Sequence, residues 1–186
     1  MSKGENPVRS EYVPAKLRPD DMDKTGGLPA LAQADPVDVL PVEARRRLIR
    51  FLDTTKDWDG VVLLQNGNVT HWVHLSADEV VSFQSFLTGR LAVAFDVPPE
   101  TRADAQAIAA TMARPERLAT HLRSAEISGG PAGILGALIG AEISAARPYW
   151  LGQRVALIGD AMMVENYSAP LVAQGVTPET NVISAS

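Results

Sequence analysis

The sequence predicts one α/β domain built around a mixed sheet. Within residues 59–91, three short runs rich in apolar, β-branched and aromatic residues are separated by turn residues and followed by a helical pattern. Strand and helix patterns then alternate towards the carboxyl end. A chain of 186 residues that is 46% hydrophobic has enough apolar side chains for one core, and its length favours one domain over two.

The three runs, VVLLQ, THWVHL and EVVSFQSF, predict an antiparallel meander. Asn66-Gly67 lies between the first two runs and predicts a type I′ hairpin turn, because both central residues of that turn need a positive φ. Residues 76–78, Ser-Ala-Asp, can form the second turn. Two tight connections can join only antiparallel neighbours.

The segments after the meander predict an α…α-β-α-β order. Two prolines at 98–99 end the first helical stretch, and Pro148 and Gly175 end later helices. The predicted elements are an apolar stretch over 86–95, helices over 101–113 and 115–124, a loop over 128–131, a helix from 132 to about 147, a strand over 154–159, a helix over 161–173 and a short strand near 181–183. This order is typical of the ribonuclease H-like arrangement, a mixed sheet with helices on its faces.

Residues 1–37 are predicted to be a flexible leader and residues 38–186 the folded domain. The leader has many charges and few clustered apolar residues, so folding it would not offset the entropy of ordering it. An alternative is that it folds back over the domain, with Leu28, Leu31 and Val37 as apolar anchors.

Composition argues against several classes of protein. A net charge of −5 gives no support for nucleic-acid binding, and residues 45–47, Arg-Arg-Arg, are interpreted as the solvated face of an amphipathic helix. No cysteine is available for disulfides, thiol catalysis or metal binding. The amino-terminal segment has no apolar core typical of a signal peptide, and the longest apolar stretch, 132–143, is too short to span a bilayer. We therefore expect a cytoplasmic protein.

Isolated polar residues offer few candidate sites. His71 and His74 would face opposite sides of a strand, which argues against a shared metal. Glu142 could be a buried functional acid, although pairing with Arg147 or facing solvent is favoured. No histidine is placed by a recognisable nucleophile motif to activate a serine. Glycines at 133, 136 and 140 share one helical face and would allow close approach to the sheet.

Several runs taken in order resemble the 2-dehydro-3-deoxygalactonokinase family. These runs are DGVV, THWVHLSADEVVSFQSFLTGRL, HLRSAEI, GALIGAEISAARPYW, VALIGD and ENYSAPLVAQG, and they span about 38–182. The resemblance implies one lobe of a two-lobed ATPase of the actin and hexokinase type. It also implies transfer of the ATP γ-phosphoryl group to a 2-keto-3-deoxy sugar acid with magnesium. Residues 1–37 carry nothing like the family's Asp-x-Gly-Thr-type phosphate loop, so the first lobe is expected to be missing.

The family's polar positions correspond here to a changed set of residues. Its Arg-Gly-Glu-Glu-Thr-like run keeps one acid, Glu43, and its Pro-Gly-Thr-His turn is represented by residues 65–69, in which Gly67 survives. Its lysine is replaced by His71, and the acid of its Thr-Gly-Glu-Leu run by Arg90. The pocket candidates are Glu43, Gly67, Asn68, Thr70, His71, Thr88, Gly89 and Arg90, and the nucleotide-binding candidates are Gly159 and Asp160. For Asp160 the favoured interpretation is an ordinary helix cap, whose charge would repel a phosphate.

Because phosphoryl transfer depends on positioning and charge, these changes favour a non-catalytic interaction or binding protein, a pseudoenzyme that acts as a homo-oligomer or through a protein partner. A sugar acid is a possible ligand, and no membrane, nucleic-acid or metal site is expected. The alternative is a sugar-acid kinase that another chain completes, in which case ATP and Mg²⁺ are cofactors.

Overall fold

The computed structural model describes residues 10–20 and 27–182 as an α/β structure with two sheets. The strands are β1 (Ser10–Tyr12), β2 (Ala15–Lys16), β3 (Ala30–Ala34), β4 (Val37–Leu40), β5 (Gly60–Asn66), β6 (Val69–Ser76), β7 (Glu79–Phe86), β8 (Val155–Gly159) and β9 (Glu179–Val182). The smaller sheet has the order β1-β3-β4 and the larger one β2-β7-β6-β5-β8-β9.

Strands β5, β6 and β7 form the predicted antiparallel meander, and β8 and β9 extend the sheet in parallel beyond β5. The first turn lies one residue later than predicted. Asn66 pairs with Val69, so Gly67 and Asn68 are the central residues, and only Gly67 has a positive φ, of 60°. The type I′ prediction for Asn66-Gly67 is therefore wrong. The two positive φ values that such a turn needs occur at Ala77 (50°) and Asp78 (62°), in the second turn.

The helices agree closely with the predicted segments. They are α1 (Val42–Thr54), α2 (Thr88–Ala94), α3 (Ala105–Ala113), α4 (Leu118–Ser124), α5 (Gly130–Ala145), α6 (Arg147–Trp150) and α7 (Ala161–Ala173). The prediction of a loop over 128–131 is wrong, because a π-helical turn, Ala125–Gly129, leads directly into α5. Pro131 does not interrupt α5, since an amide in the first helical turn has no intrahelical acceptor to lose.

The larger sheet is buried on both faces because its central strands carry apolar side chains that point alternately to one face and the other. Val62, Leu64 and Val73 face α1 and the amino-terminal strands, whereas Val61, Leu63 and Trp72 face the layer that contains α3, α5 and α7. Helix α5 is apolar all round, and most of its residues are buried. It packs closely on α3, because a Cβ at Gly136 or Gly140 would lie 2.6 Å from the carbonyl oxygen of Asp104 or 2.5 Å from that of Ile108. The glycines therefore allow an approach to a helix, and the predicted approach to the sheet is corrected.

The amino-terminal segment differs from the leader predicted over 1–37. Strand β2 pairs with β7 and forms the edge of the larger sheet, while Leu17 and Leu31 are fully buried in the core under α1. The flexible-leader prediction is therefore corrected for residues 10–20 and 27–37, whereas 1–9 and 21–26 lie outside the described residues. Of the three proposed anchors, Leu31 is buried but Val37 is 88% exposed.

Arg45 explains how this segment is held, and it overturns the interpretation of residues 45–47 as a solvated face. Its guanidinium is fully buried and donates hydrogen bonds to the carbonyl oxygens of Lys16, Leu17 and Pro29 and to the carboxylate of Glu11. Arg47 is half-buried and donates to the carbonyl oxygen of Gln65, which leaves Arg46 as the solvated member of the triplet.

The helical run 115–145 is long and apolar enough to cross a membrane by length and composition, with a mean hydropathy of 1.2. Half of its most apolar window is buried within the protein. Glu142, the acid nearest its carboxyl end, hydrogen-bonds to side chains of the sheet. This is the pattern of a core helix.

Candidate functional site

Most of the predicted site residues lie at one end of the larger sheet, where β5 and β8 have their carboxyl ends. They occupy the 67–68 turn, the start of β6, the start of α2 and the junction of β8 with α7. Side chains alternate along β6, so Thr70 and His71 face opposite sides of the sheet. The predicted residues are consequently divided between two cavities, one on each face.

The helix-side cavity, of about 300 Å³, brings six of the predicted residues together. It is lined by polar residues from the sheet end and by apolar residues such as Leu135, Ile139 and Met163 from α5 and α7. The predicted residues in its lining are Gly67, Asn68, Thr70, Thr88, Gly89 and Asp160. Gly159 lies beside it, where a Cβ would come within 2.9 Å of the Gln65 side-chain oxygen.

Beneath this cavity Glu142 binds four side chains, an arrangement that sequence reasoning missed. Its Oε1 accepts hydrogen bonds from Thr70 Oγ1 at 2.8 Å and Trp72 Nε1 at 2.9 Å, and its Oε2 accepts from Thr88 Oγ1 and from Tyr167 OH at 2.8 Å. The prediction that Glu142 pairs with Arg147 or faces solvent is wrong, because the carboxyl group is buried. An acid within an all-apolar helix was the only available signal.

Burial controls the ionisation of this cluster. It raises the pKa of Glu142 above the usual value of 4.5, while the hydrogen bonds from Thr88, Thr70, Tyr167 and Trp72 act in the opposite direction. The pKa of Tyr167 is also raised, first by burial and then by the nearby carboxylate. Glu142 and Tyr167 are both buried. Through its hydrogen bonds, Glu142 fixes the positions of the Thr70 and Thr88 side chains.

The amino terminus of α7 forms a second part of the cavity wall, and two of its amides, those of Asp160 and Met163, are bonded within the chain. Asp160 caps the helix by accepting a hydrogen bond from the Met163 amide at 2.8 Å, which confirms the capping interpretation. The Asp160 amide donates to the Gln65 side-chain oxygen at 2.9 Å. An anion approaching this terminus would meet these internal bonds and the charge of Asp160.

Gly89 allows α2 to pack against the 67–68 turn. A Cβ at this position would lie 2.9 Å from both Cα and the carbonyl oxygen of Asn68, and the neighbouring Arg90 amide donates to that oxygen at 3.0 Å. The close approach requires a residue without a Cβ. Gly89 thus has a packing role, whichever ligand the cavity accepts.

We expect Gly89→Ala to lower the free energy of unfolding by about 1–3 kcal/mol, because the backbone of the turn must shift to admit a methyl group. The measurement is urea unfolding followed by tryptophan fluorescence. Gly129→Ala is the matched control, since its Cβ would meet only the Ala125 Cβ at 3.7 Å, and it should be neutral or slightly stabilising. Equal stability of the two variants would contradict the packing role.

The polar cavity, of about 460 Å³, lies on the other face and contains His71 and Arg90. His71 is buried, its Nδ1 is 2.6 Å from Ser85 Oγ, and its Nε2 makes no hydrogen bond within the described part of the chain. Burial lowers the pKa of His71 to about 4, although Asp38 acts to raise it. Asp38 itself accepts hydrogen bonds from the amides of Val39 and Ser85, so its carboxylate is held by the backbone.

Two other predicted positions are separate from both cavities. Glu43 is exposed on α1, where it forms ion pairs with Arg46, Arg47 and Arg50. His74 is half-buried on the face of β6 opposite to His71. Among residues 10–20 and 27–182, no group of three or more histidine and acidic side chains is arranged to hold a metal ion.

Comparison with known proteins identifies the family of this chain. The family model for 2-keto-3-deoxy-galactonokinase matches residues 6–185. The chain belongs to this family. The match begins well before residue 38, so the amino-terminal strands are part of the family's pattern as well, beyond the stretch that the motifs indicated.

A solved structure gives independent support for the kinase-like fold. The crystal structure of a candidate 2-dehydro-3-deoxygalactonokinase from Sinorhizobium meliloti is similar to this chain, with a TM-score of 0.74 and 24% sequence identity. The similarity covers 92% of this chain and 68% of that chain, and at this identity it shows a shared fold. A comparison with curated proteins finds no match.

Proposed function

We propose that this member of the kinase family is a non-catalytic protein that binds a sugar acid in the polar cavity. The observation that carries the proposal is the internal bonding of the helix-side cavity. The hydroxyl groups of Thr70 and Thr88 donate hydrogen bonds to Glu142, and the Asp160 amide donates to Gln65. Three of the donors around this cavity are therefore already used within the chain.

In the polar cavity, by contrast, several polar side chains have no hydrogen-bond partner within the described residues. The side chains of Asn66, Gln84 and Arg90 line it and make no side-chain hydrogen bond or ion pair among the described residues. A sugar acid combines a carboxylate, which a guanidinium can bind in a bidentate manner, with hydroxyl groups that side-chain amides can donate to or accept from. The unpartnered Nε2 of His71 adds one more polar group to this wall.

The test combines calorimetric titration with a coupled ATP-consumption assay, both with 2-keto-3-deoxygalactonate. We expect saturable binding without turnover near the roughly 1–100 s⁻¹ typical of kinases. Arg90→Gln should weaken binding about tenfold or more, through loss of a charge-assisted hydrogen bond, while Arg114→Gln on the exposed end of α3 should not. Turnover would refute the proposal that the protein is non-catalytic. Absence of binding would refute the proposal that it binds a sugar acid.

A second candidate is a sugar-acid kinase that another chain completes. It is favoured by the position of the helix-side cavity at the carboxyl ends of two parallel strands and beside a helix amino terminus, where α/β proteins commonly bind ligands. ATP and Mg²⁺ would then be required. If a second copy completes the site, the ATP-consumption rate per chain should rise with protein concentration, whereas a constant zero rate excludes that form of the alternative.

We also propose that the larger sheet is of the ribonuclease H type. The support is its meander of three antiparallel strands, extended beyond the first strand by two parallel strands in the order β7-β6-β5-β8-β9. A crystal structure in which β8 ran antiparallel to β5 would contradict this assignment.

A further inference from the structure

A larger cavity, of about 530 Å³, lies between α3, α6 and α7 and shares only Asn166 with the helix-side cavity. Its volume is within the range of about 300–1,000 Å³ that is common for small-molecule sites. The walls are mainly apolar, with Ile108, Met112 and Trp150 as the large residues and several alanines that leave room between the helices. None of the predicted site residues lines it.

The walls of this cavity are fixed by hydrogen bonds. Trp150 is buried, and its Nε1 donates to the carbonyl oxygen of Ile143 at 2.8 Å, which holds the indole ring in place. The side chain of Asn166 accepts from the Ala103 amide and donates to the carbonyl oxygen of Thr101, and so joins α7 to the segment before α3. A ligand would therefore enter a site whose shape is already formed.

Charge is distributed unevenly along the cavity. Arg102 forms an ion pair with Glu165 at 2.6 Å, so the charge of this arginine is compensated. The Arg147 guanidinium lies 5.9 Å from the centroid of the Trp150 ring and has no carboxylate partner in the described part of the chain. Trp150 is only 1% exposed, so the accessible apolar lining comes from Met112 and the alanines, and the exposed Arg147 adds one uncompensated cation beside it.

We propose that this cavity binds a small apolar molecule that carries one anionic group. The apolar body packs against Met112 and the alanines of α3, and the anion pairs with Arg147. A neutral molecule would leave Arg147 without a partner, and a cation would be repelled by it. The inference is independent of the sugar-acid proposal, because the two cavities share no residue.

The experiment titrates the full chain with two fluorescent probes that share a ring system. 8-Anilinonaphthalene-1-sulfonate carries the anion, and N-phenyl-1-naphthylamine lacks it. We expect saturable binding of one sulfonate probe per chain, with an affinity at least about tenfold higher than that of the neutral probe. Arg147→Gln should remove this difference, whereas Arg117→Gln, an exposed arginine outside the cavity, should preserve it.

Ala109→Trp, which fills the cavity from α3, should abolish binding of both probes. Circular dichroism and thermal unfolding of each variant show whether it is folded, and only folded variants are compared. The inference is overturned if neither probe binds the wild-type chain, if both probes bind with equal affinity, or if folded Ala109→Trp binds the sulfonate probe as the wild type does. An unchanged preference in Arg147→Gln would overturn the assignment of the anion to this arginine.

Discussion

Arg45→Met is expected to lower the free energy of unfolding by about 3–5 kcal/mol, the usual cost of removing one partner from a buried charged network. Methionine retains an unbranched apolar side chain but cannot donate hydrogen bonds. The carbonyl oxygens of Lys16, Leu17 and Pro29 would then lose their donor in or near the core. Each buried acceptor left unpaired costs about 1–3 kcal/mol, which explains why the effect is large.

The location of the destabilised segments distinguishes the hydrogen-bonding role of Arg45 from a general contribution to packing. Arg45 joins β2 and the start of β3 to α1, so amide hydrogen exchange at residues 15–17 and 30–32 should accelerate more than exchange in β5. Arg46→Met is the matched control on the same helix, because the Arg46 side chain is 57% exposed and its contact with Glu43 is 3.7 Å long. It should change stability by less than about 0.5 kcal/mol. Equal losses in the two variants would contradict this role of Arg45.

The same arginine shows where sequence reasoning succeeds and where it fails. The meander, α5, β8 and α7 could be predicted because their apolar residues recur with the period of a strand or helix and end at proline or glycine. In the sequence, Arg45 is indistinguishable from a solvent-facing polar residue of an amphipathic helix. Its burial depends on carbonyl groups of residues 16, 17 and 29, which composition had assigned to a flexible leader. Contacts between distant segments leave no local signal.

The candidate site was predictable in part for a related reason. Gly67, Thr70, Thr88, Gly89 and Asp160 were found through motifs, and the fold brings them to one cavity. Alternation along β6 divides His71 from Thr70, which a list of motif positions does not reveal. Glu142 lies 72 residues from Thr70 in the sequence, and its four partners become evident only when α5 is placed on the sheet.

Glu142→Ala is expected to lower the free energy of unfolding by about 3–5 kcal/mol, because it leaves several buried donors without an acceptor and creates a cavity. Trp72 and Tyr167 are the most affected, since both side chains are buried. Glu142→Gln keeps the shape and one acceptor oxygen but turns an amide group towards the remaining donors. It should cost about 1–2 kcal/mol.

Glu126→Ala provides the control within the same helical run. Its side chain is 54% exposed and pairs with Arg123 at the surface, so its removal should change stability by less than about 1 kcal/mol. Urea unfolding at constant pH measures all three variants. A cost for Glu142→Ala no larger than that for Glu126→Ala would show that the four hydrogen bonds do not stabilise the fold.

The dependence on pH tests the raised pKa of Glu142 directly. Because burial raises this pKa in the folded state above the usual 4.5, the folded chain retains a proton that the unfolded chain has released. The stability contributed by the carboxyl group is therefore fully present below about pH 4.5 and decreases as the pH rises through the folded-state value. We expect the stability advantage of wild type over Glu142→Gln to be largest at low pH and to shrink towards neutral pH. The opposite slope would mean that the four donors outweigh burial and that the carboxylate is the form the fold prefers.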